Sequence, residues 1–328
     1  MRNKKILIIA PAWIGDLIMS AAFVKALENK QECSIDILVN SNLIHIANLI
    51  PGIRKVIPSE TKHGKLSLSY RIKIGLNLRS ENYDECFILT NSYKSALIPF
   101  IAKIKKRISY VGEFRYGLIN IIKKPIDRKL GMVNRYLNLI DQKHSSKITP
   151  VLNINPNKEL IFERFKLNSK YLVFCPDAEY GSAKRWPTKK WVNLALELSK
   201  HHHIVIVGLD REIGNEFDNI TSNEILNLIG KTNLVEVLEI IACSEGVVSN
   251  DSGLMHVSAS LDRKTIALYG SSSPTYTPPL ISKKKRDIIY KDLDCSPCFK
   301  RVCPLGHKKC LNDIQVEEVK ESAVKLFQ

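Results

Sequence analysis

Gly246-Val247-Val248-Ser249-Asn250-Asp251-Ser252-Gly253-Leu254-Met255-His256 reads as an apolar strand that turns directly into a helix. Gly246 to Val248 have the character of a buried strand's end, while Leu254, Val257, Ser258 and Leu261 recur at helical spacing. An acid, a hydroxyl and a glycine therefore sit where the helix opens. Its first N–H groups lack intrahelical partners and the dipole is positive there, which suits a phosphate, and Gly253 lets a ligand approach the backbone closely. On sequence alone, Asn-Asp-Ser-Gly also reads as an ordinary N-cap.

Working outward, the same strand-then-helix plan recurs. Lys5 to Ala10 is an apolar strand followed by Pro11-Ala12-Trp13-Ile14-Gly15-Asp16 and a helix from about Asp16 through Leu27. Further strands are expected at 35–39 and 86–89, with helices around 43–50 and from about Ser92. Beyond them come strands at 171–175, 203–207, 247–249 and 265–269, with helices at about 188–200, 233–243 and 252–261. Such alternation predicts an α/β fold of parallel, doubly wound sheets. At 328 residues the chain accommodates two such domains. The polar stretch 141–147 and Asn155-Pro156-Asn157 mark the join, giving an N-terminal Rossmann-like domain over 1–165 and a C-terminal one over 166–328. Ligands bind outside the C-terminal strand ends of such sheets, so the expected cleft has Asp16 on one lip and Lys184 and Asp251 on the other. No Gly-x-Gly-x-x-Gly follows the first strand and no Walker lysine motif is present, which argues against a dehydrogenase and a P-loop phosphotransferase.

Composition narrows the class. The residues before the first strand and its short apolar run are too brief for a secretory h-region, and no run of about 18 apolar residues offers a membrane span. A cytoplasmic protein is expected. Cys33, Cys86, Cys175 and Cys243 fall in apolar strands or helices, where a free thiol packs as a small hydrophobe. Residues 1–165 carry 27 Lys+Arg against 13 Asp+Glu, or +14, whereas residues 166–328 carry 22 against 20, or +2. The basic half lacks the aromatic-interleaved surfaces and motifs of nucleic-acid binding. An anionic membrane surface or glycolipid fits it better. A general lysine bias would raise the total but not the asymmetry.

Several motifs together resemble glycosyltransferase family nine, the heptosyltransferases of lipopolysaccharide inner-core synthesis. They are the Trp13-Ile14-Gly15-Asp16 turn, Cys175-Pro176, Lys184-Arg185-Trp186-Pro187, Asn250-Asp251-Ser252-Gly253-Leu254-Met255-His256, and Thr277-Pro278-Pro279. The Asn-Asp-Ser-Gly-Leu-Met-His form, Asn91-Ser92-Tyr93-Lys94-Ser95-Ala96 and Gly112-Glu113-Phe114-Arg115-Tyr116-Gly117 look like the branch that adds the second heptose. The likeness runs from the first strand to about Leu280. It implies the two-domain GT-B architecture, with the N-terminal domain binding acceptor and the C-terminal domain binding ADP-sugar. The implied reaction transfers heptose from ADP-heptose to a lipid-anchored inner-core heptose, with inversion and release of ADP, by a peripheral protein at the cytoplasmic face of the inner membrane. Alternatives are the first heptosyltransferase or another ADP-sugar transferase and, from a different class, a non-catalytic nucleotide-sugar-binding protein.

Inverting transfer needs one base for the acceptor hydroxyl and a polar array for the departing diphosphate. The resemblance makes Asp16 the base, although a carboxylate at a strand-to-helix turn can equally cap its helix. It makes Lys184 the diphosphate ligand, shared with the N–H groups around Ser252 and Gly253, with Asp251 holding a sugar hydroxyl or orienting Lys184. His256, one turn on, is a donor-site residue or a packed histidine. Glu212, read as the end of a strand, is placed to accept ribose hydroxyls, with Asp210 competing. Lys94 and Arg115 resemble acceptor-binding cations and could also be surface charges. Asp177 departs from the family's usual glycine and is expected to bring charge near the phosphates.

The tail carries Cys295-x2-Cys298-x4-Cys303-x6-Cys310 with His307 nearby, beyond the resemblance. That spacing allows a structural zinc ion, disulfides or unlinked thiols. None is expected to be catalytic, because the chemistry the resemblance implies requires no metal cofactor.

Overall fold

A computed structural model describes residues 3–61, 65–142, 148–167 and 170–328. The chain divides into two compact units, Met1–Asn153 and Ile154–Gln328. The first contains β1 (Lys4–Ile9), α1 (Ile14–Lys30), β2 (Cys33–Asn40), α2 (Ile44–Asn48), β3 (Ile53–Ser59), α3 (Leu68–Asn77), β4 (Glu85–Ile88), α4 (Leu97–Ile101), β5 (Lys106–Ser109), β6 (Ile121–Ile122) and α5 (Met132–Leu137). The second contains α6 (Lys158–Phe165), β7 (Tyr171–Cys175), α7 (Thr188–Leu198), β8 (His203–Ile206), α8 (Arg211–Asp218), β9 (Ile225–Asn227), α9 (Leu234–Cys243), β10 (Gly246–Asn250), α10 (Gly253–Ser260), β11 (Lys264–Tyr269), β12 (Arg286–Tyr290), α11 (Lys309–Asn312) and α12 (Val316–Phe327).

Each unit builds one six-stranded, wholly parallel sheet, in the orders β3-β2-β1-β4-β5-β6 and β12-β11-β10-β7-β8-β9. Counted within its own unit, each order is the same. In each, the chain leaves one central strand in one direction and its neighbour in the other, so a crevice opens at the C-terminal ends of β1 and β4, and of β7 and β10. Central strands are buried on both faces, so they read as unbroken apolar runs such as Leu172-Val173-Phe174. In the second unit Phe174, Trp186 and Trp191 stack in a common core, with centroids 5.4 and 5.3 Å apart.

The division falls earlier than the boundary expected near residue 165. Helix α6 was assigned to the first domain, yet it packs on α9, and Arg164 pairs with Glu236 at 2.5 Å. The polar stretch expected at the join lies outside the described residues over 143–147. The helix expected from Ser92 is a 3-10 turn, Tyr93–Ala96, running into the short α4.

Phe174→Ala removes a fully buried ring from the middle of β7. Stability should fall by roughly 3–5 kcal/mol, read as a lower urea midpoint from the fluorescence of Trp186 and Trp191.

Candidate functional site

In the second unit the crevice is tied by Asn250, the fully buried last residue of β10. Its amide donates to Pro176 O (2.6 Å), and its carbonyl accepts from the Trp186 N–H (3.1 Å). Asn250 thus joins β10 to the loop after β7, so Lys184, on that loop's 3-10 turn, meets Asp251 beyond β10. Lys184 Nζ lies 2.6 Å from Asp251 Oδ2, with the two side chains 17% and 4% exposed. Ser272 Oγ donates to the same carboxylate oxygen. The Lys184 ammonium also sits 5.0 Å from the Tyr180 ring centroid.

Ser252, at the N-cap of α10, shares a hydrogen bond with Ser249 Oγ (3.2 Å) in place of capping the helix. Asp251 is turned to Lys184, so the Asn-Asp-Ser-Gly stretch supplies no side-chain cap. The opening N–H groups, Gly253 first, thus lack a side-chain cap and lie beside the half-buried Lys184. His256 lies one turn on, buried. Desolvation pushes its imidazole down to about 4, against an upward pull from Asp251 and a further push down from Lys184. It is neutral near pH 7.

Two expectations on this rim are corrected. Asp177 is paired with Arg185 (2.9 Å) and accepts from the N–H groups of Leu209 (3.3 Å) and Asp210 (3.1 Å). It shares the Arg185 guanidinium with Asp210 and ties the β7 loop to the loop after β8. Glu212 is not at a strand end: β8 stops at Ile206, and Glu212 is exposed in the first turn of α8. Asp210 caps that helix through the Glu212 N–H (3.0 Å) and binds Arg185 (2.5 Å).

In the first unit, Asp16 stands in the first turn of α1, directly after β1. The helix dipole favours its ionised form. Lys94 follows β4, the other strand of this crevice, and its ammonium donates to Lys65 O (3.3 Å). Arg115 departs from both readings offered for it: it is fully buried. Its guanidinium donates to Val111 O, Thr90 O, Tyr110 O and the hydroxyls of Ser95 and Ser109, at 2.5–3.3 Å. Burial brings its pKa down to about 10, so it stays charged and holds the loops after β4 and β5 together. It shapes any acceptor site without touching the acceptor.

The cysteine-rich tail braces the donor loop. Ala183 N donates to Arg301 O (3.0 Å), Phe299 N to Ser271 O (2.7 Å), Ser296 Oγ to Gly270 O (2.6 Å) and Tyr180 Oη to Phe299 O (2.8 Å). Gly181 makes this approach possible, since at φ +150° a Cβ would lie 2.4 Å from Arg301 O. Cys295, Cys298, Cys303, Cys310 and His307 line one small cavity there, and all four thiols are free. Among the described residues no three His, Cys, Asp or Glu groups are arranged to hold a metal ion. Cys303 instead accepts hydrogen bonds from main-chain N–H groups of Leu305, Gly306 and Lys308, which lower its pKa.

The sequence reading left Asn250, Ser272, Tyr180 and Arg185 without roles. Asn250 carried a signal, being a polar residue at the last position of an apolar strand. The others lie in loops, where no periodicity reports orientation.

Two Rossmann-like sheets, with an ionisable site at each central crevice, define the class of two-domain GT-B glycosyltransferases. The profile of glycosyltransferase family 9 (heptosyltransferase) matches residues 71–309, and the chain belongs to that family. Lipopolysaccharide heptosyltransferase 2 of Salmonella typhimurium is 37% identical over 303 residues, covering 86% of this chain and 87% of the relative. The structure of E. coli ADP-heptose lipopolysaccharide heptosyltransferase II superposes with a TM-score of 0.84 at 33% identity, covering 98% of both chains. A family 9 glycosyltransferase from Veillonella parvula, 17% identical, shares the fold with a TM-score of 0.82 over 99% of this chain and 97% of its own.

The depressed His256 pKa has a consequence for stability. Between 6.5 and about 4 the unfolded chain binds a proton that the folded chain does not, so folding stability falls as pH drops through this window. The contribution reaches roughly 3 kcal/mol. His256→Gln should flatten that part of the curve of urea midpoint against pH, and an unchanged slope would show that His256 does not titrate this way.

Proposed function

We propose that this glycosyltransferase moves L-glycero-D-manno-heptose from ADP-heptose to the first heptose of a lipid-anchored lipopolysaccharide inner core. The acceptor hydroxyl oxygen attacks the anomeric carbon from the face opposite the diphosphate. Its proton passes to the Asp16 carboxylate, the bond to the diphosphate oxygen breaks, and ADP leaves with the electron pair, giving inversion. Lys184 and the N–H groups at the opening of α10 stabilise the charge that grows on the diphosphate. Asp251 holds Lys184 until donor arrives, and then keeps it aimed or accepts a sugar hydroxyl. Glu212 and Asp210 are the candidates for the ribose, and Lys94 for acidic groups on the acceptor.

The observation that carries this reading is the Lys184–Asp251 pair at 2.6 Å beside a helix opening without a side-chain cap. A half-buried cation and N–H donors side by side suit a leaving diphosphate. The E. coli relative is an ADP-heptose enzyme, which supports the donor. For the second-heptose assignment, relatives named heptosyltransferase 2 are up to 37% identical, against 25% for a heptosyltransferase 1 from Campylobacter coli. The acceptor's lipid anchor makes the cytoplasmic face of the inner membrane the working place of the enzyme, as a peripheral protein. Among the described residues no helix is long and apolar enough to cross a membrane.

ADP release from ADP-heptose, with and without acceptor, tests the assignment; release independent of acceptor, or none, overturns it. Asp16→Asn should lower turnover by about a hundredfold or more while ADP still binds. Lys184→Ala should both raise the donor KM and lower kcat, since its partner charge grows toward the transition state. Near-normal turnover of the first variant returns Asp16 to a capping role, and normal kinetics of the second assign the diphosphate to another cation.

A further inference from the structure

The outer face of α3 and α4 has no part in the chemistry above. Leu68, Ile72 and Leu76 follow one another at four-residue spacing, one stripe along α3, and are 46%, 40% and 45% exposed. Phe100 on α4 is 46% exposed. The apolar run 96–102 is mostly core: Ala96, Ile98, Pro99 and Ala102 are buried, and Phe100 alone of the run is exposed. The exposed apolar surface lies chiefly on a helix that the sequence reading left unassigned.

That surface is held outward. Buried Arg71, about a quarter-turn round α3 from Ile72, donates to Leu66 O (2.7 Å) and to Lys94 O (2.9 Å). Gly75 lets α3 press against α4, where a Cβ would lie 2.7 Å from Ile101. Arg79 closes the contact by donating to Ile101 O (2.9 Å). With these ties the stripe cannot roll into the core. Around it stand exposed Lys65, Lys73, Lys103, Lys105 and Lys106, and residues 61–80 and 92–112 contain no Asp or Glu. Exposed apolar side chains clustered among cations mark a contact site. A second copy of the chain would set two such cationic faces together, and like charge opposes that pairing.

We propose that α3 and α4 dock the chain on an anionic bilayer, with Leu68, Ile72, Leu76 and Phe100 entering the boundary of headgroups and acyl chains and the lysines pairing with lipid phosphates. This is the geometry of an interfacial amphipathic helix. The proposal deepens the reading of a lipid-anchored acceptor and rests on it for its purpose.

The test is co-sedimentation of the full chain with vesicles of phosphatidylethanolamine and phosphatidylglycerol, or of phosphatidylcholine alone. Ile72→Ser/Leu76→Ser should weaken binding to the anionic vesicles at least about tenfold. Lys65→Gln/Lys73→Gln/Lys103→Gln should weaken it about a hundredfold at low salt, less as salt rises. Both variants should keep the wild-type thermal transition and wild-type turnover on a delipidated, water-soluble acceptor. Equal binding of wild type to both vesicle types, no binding, or wild-type binding by both variants overturns the proposal. So does sedimentation equilibrium showing that the apolar variant dissociates a dimer, since a second copy then covers the face. Absence of wild-type turnover on the soluble acceptor instead overturns the transferase reading, whatever the vesicles show.

Discussion

The side chain of Asn250 carries more of this structure than any charged group. Where β7 and β10 part, the chain ends of two central strands lose their neighbours, and their main-chain groups need partners in a site with no room for solvent. One buried amide supplies both a donor to Pro176 and an acceptor for Trp186. The turn bearing Lys184 is thereby fixed against the strand end bearing Asp251, and a lysine can be held largely buried because its counter-charge is placed beforehand.

The same turn is held from its other side by the cysteine-rich tail. Main-chain bonds from Ala183 to Arg301 and from Phe299 to Ser271 make an irregular loop behave almost as an extra layer on the sheet. Tyr180 connects the two, with its hydroxyl on the tail and its ring beside Lys184. The tail thereby limits how far the Lys184 turn can move. The thiols lie directly behind that brace, so their chemical state bears on the loop's position more than on the reaction itself.

The legible parts of the fold were those decided by burial on both faces. Stretches such as Ile6–Ile9 of β1 and Tyr171–Cys175 are apolar and buried throughout. Strands β3, β5, β6, β9 and β12 lie away from the centre, are partly exposed and carry mixed residues, so their pattern is weak. Helix α3 escaped notice because its apolar residues do not face a core. Within the site, Asp16, Lys184 and Asp251 were singled out by the family resemblance, since position alone also reads Asp16 as a helix cap. The burial of Arg115 was not legible: charge suggests exposure in a sequence, and nothing local reveals six hydrogen-bonding partners contributed by the segments after β4 and around the end of β5. Asp177 failed for the same reason, its partner Arg185 being close in sequence but its N–H donors lying at the end of β8.

Both sheets share one strand order, yet their crevices offer opposite chemistry, and the difference comes down to where the acid stands relative to a helix start. Asp16 lies inside the first turn of α1, so the positive end of that helix acts on the chain's own carboxylate and keeps it ionised, as a base must be. Asp251 precedes the N-cap of α10 and is taken up by Lys184 and Ser272. The positive end of α10 is then left for a charge from outside the chain. On the proposed reading, a shift of a few residues along one topological plan suits one crevice to accept a proton and the other to hold an anion.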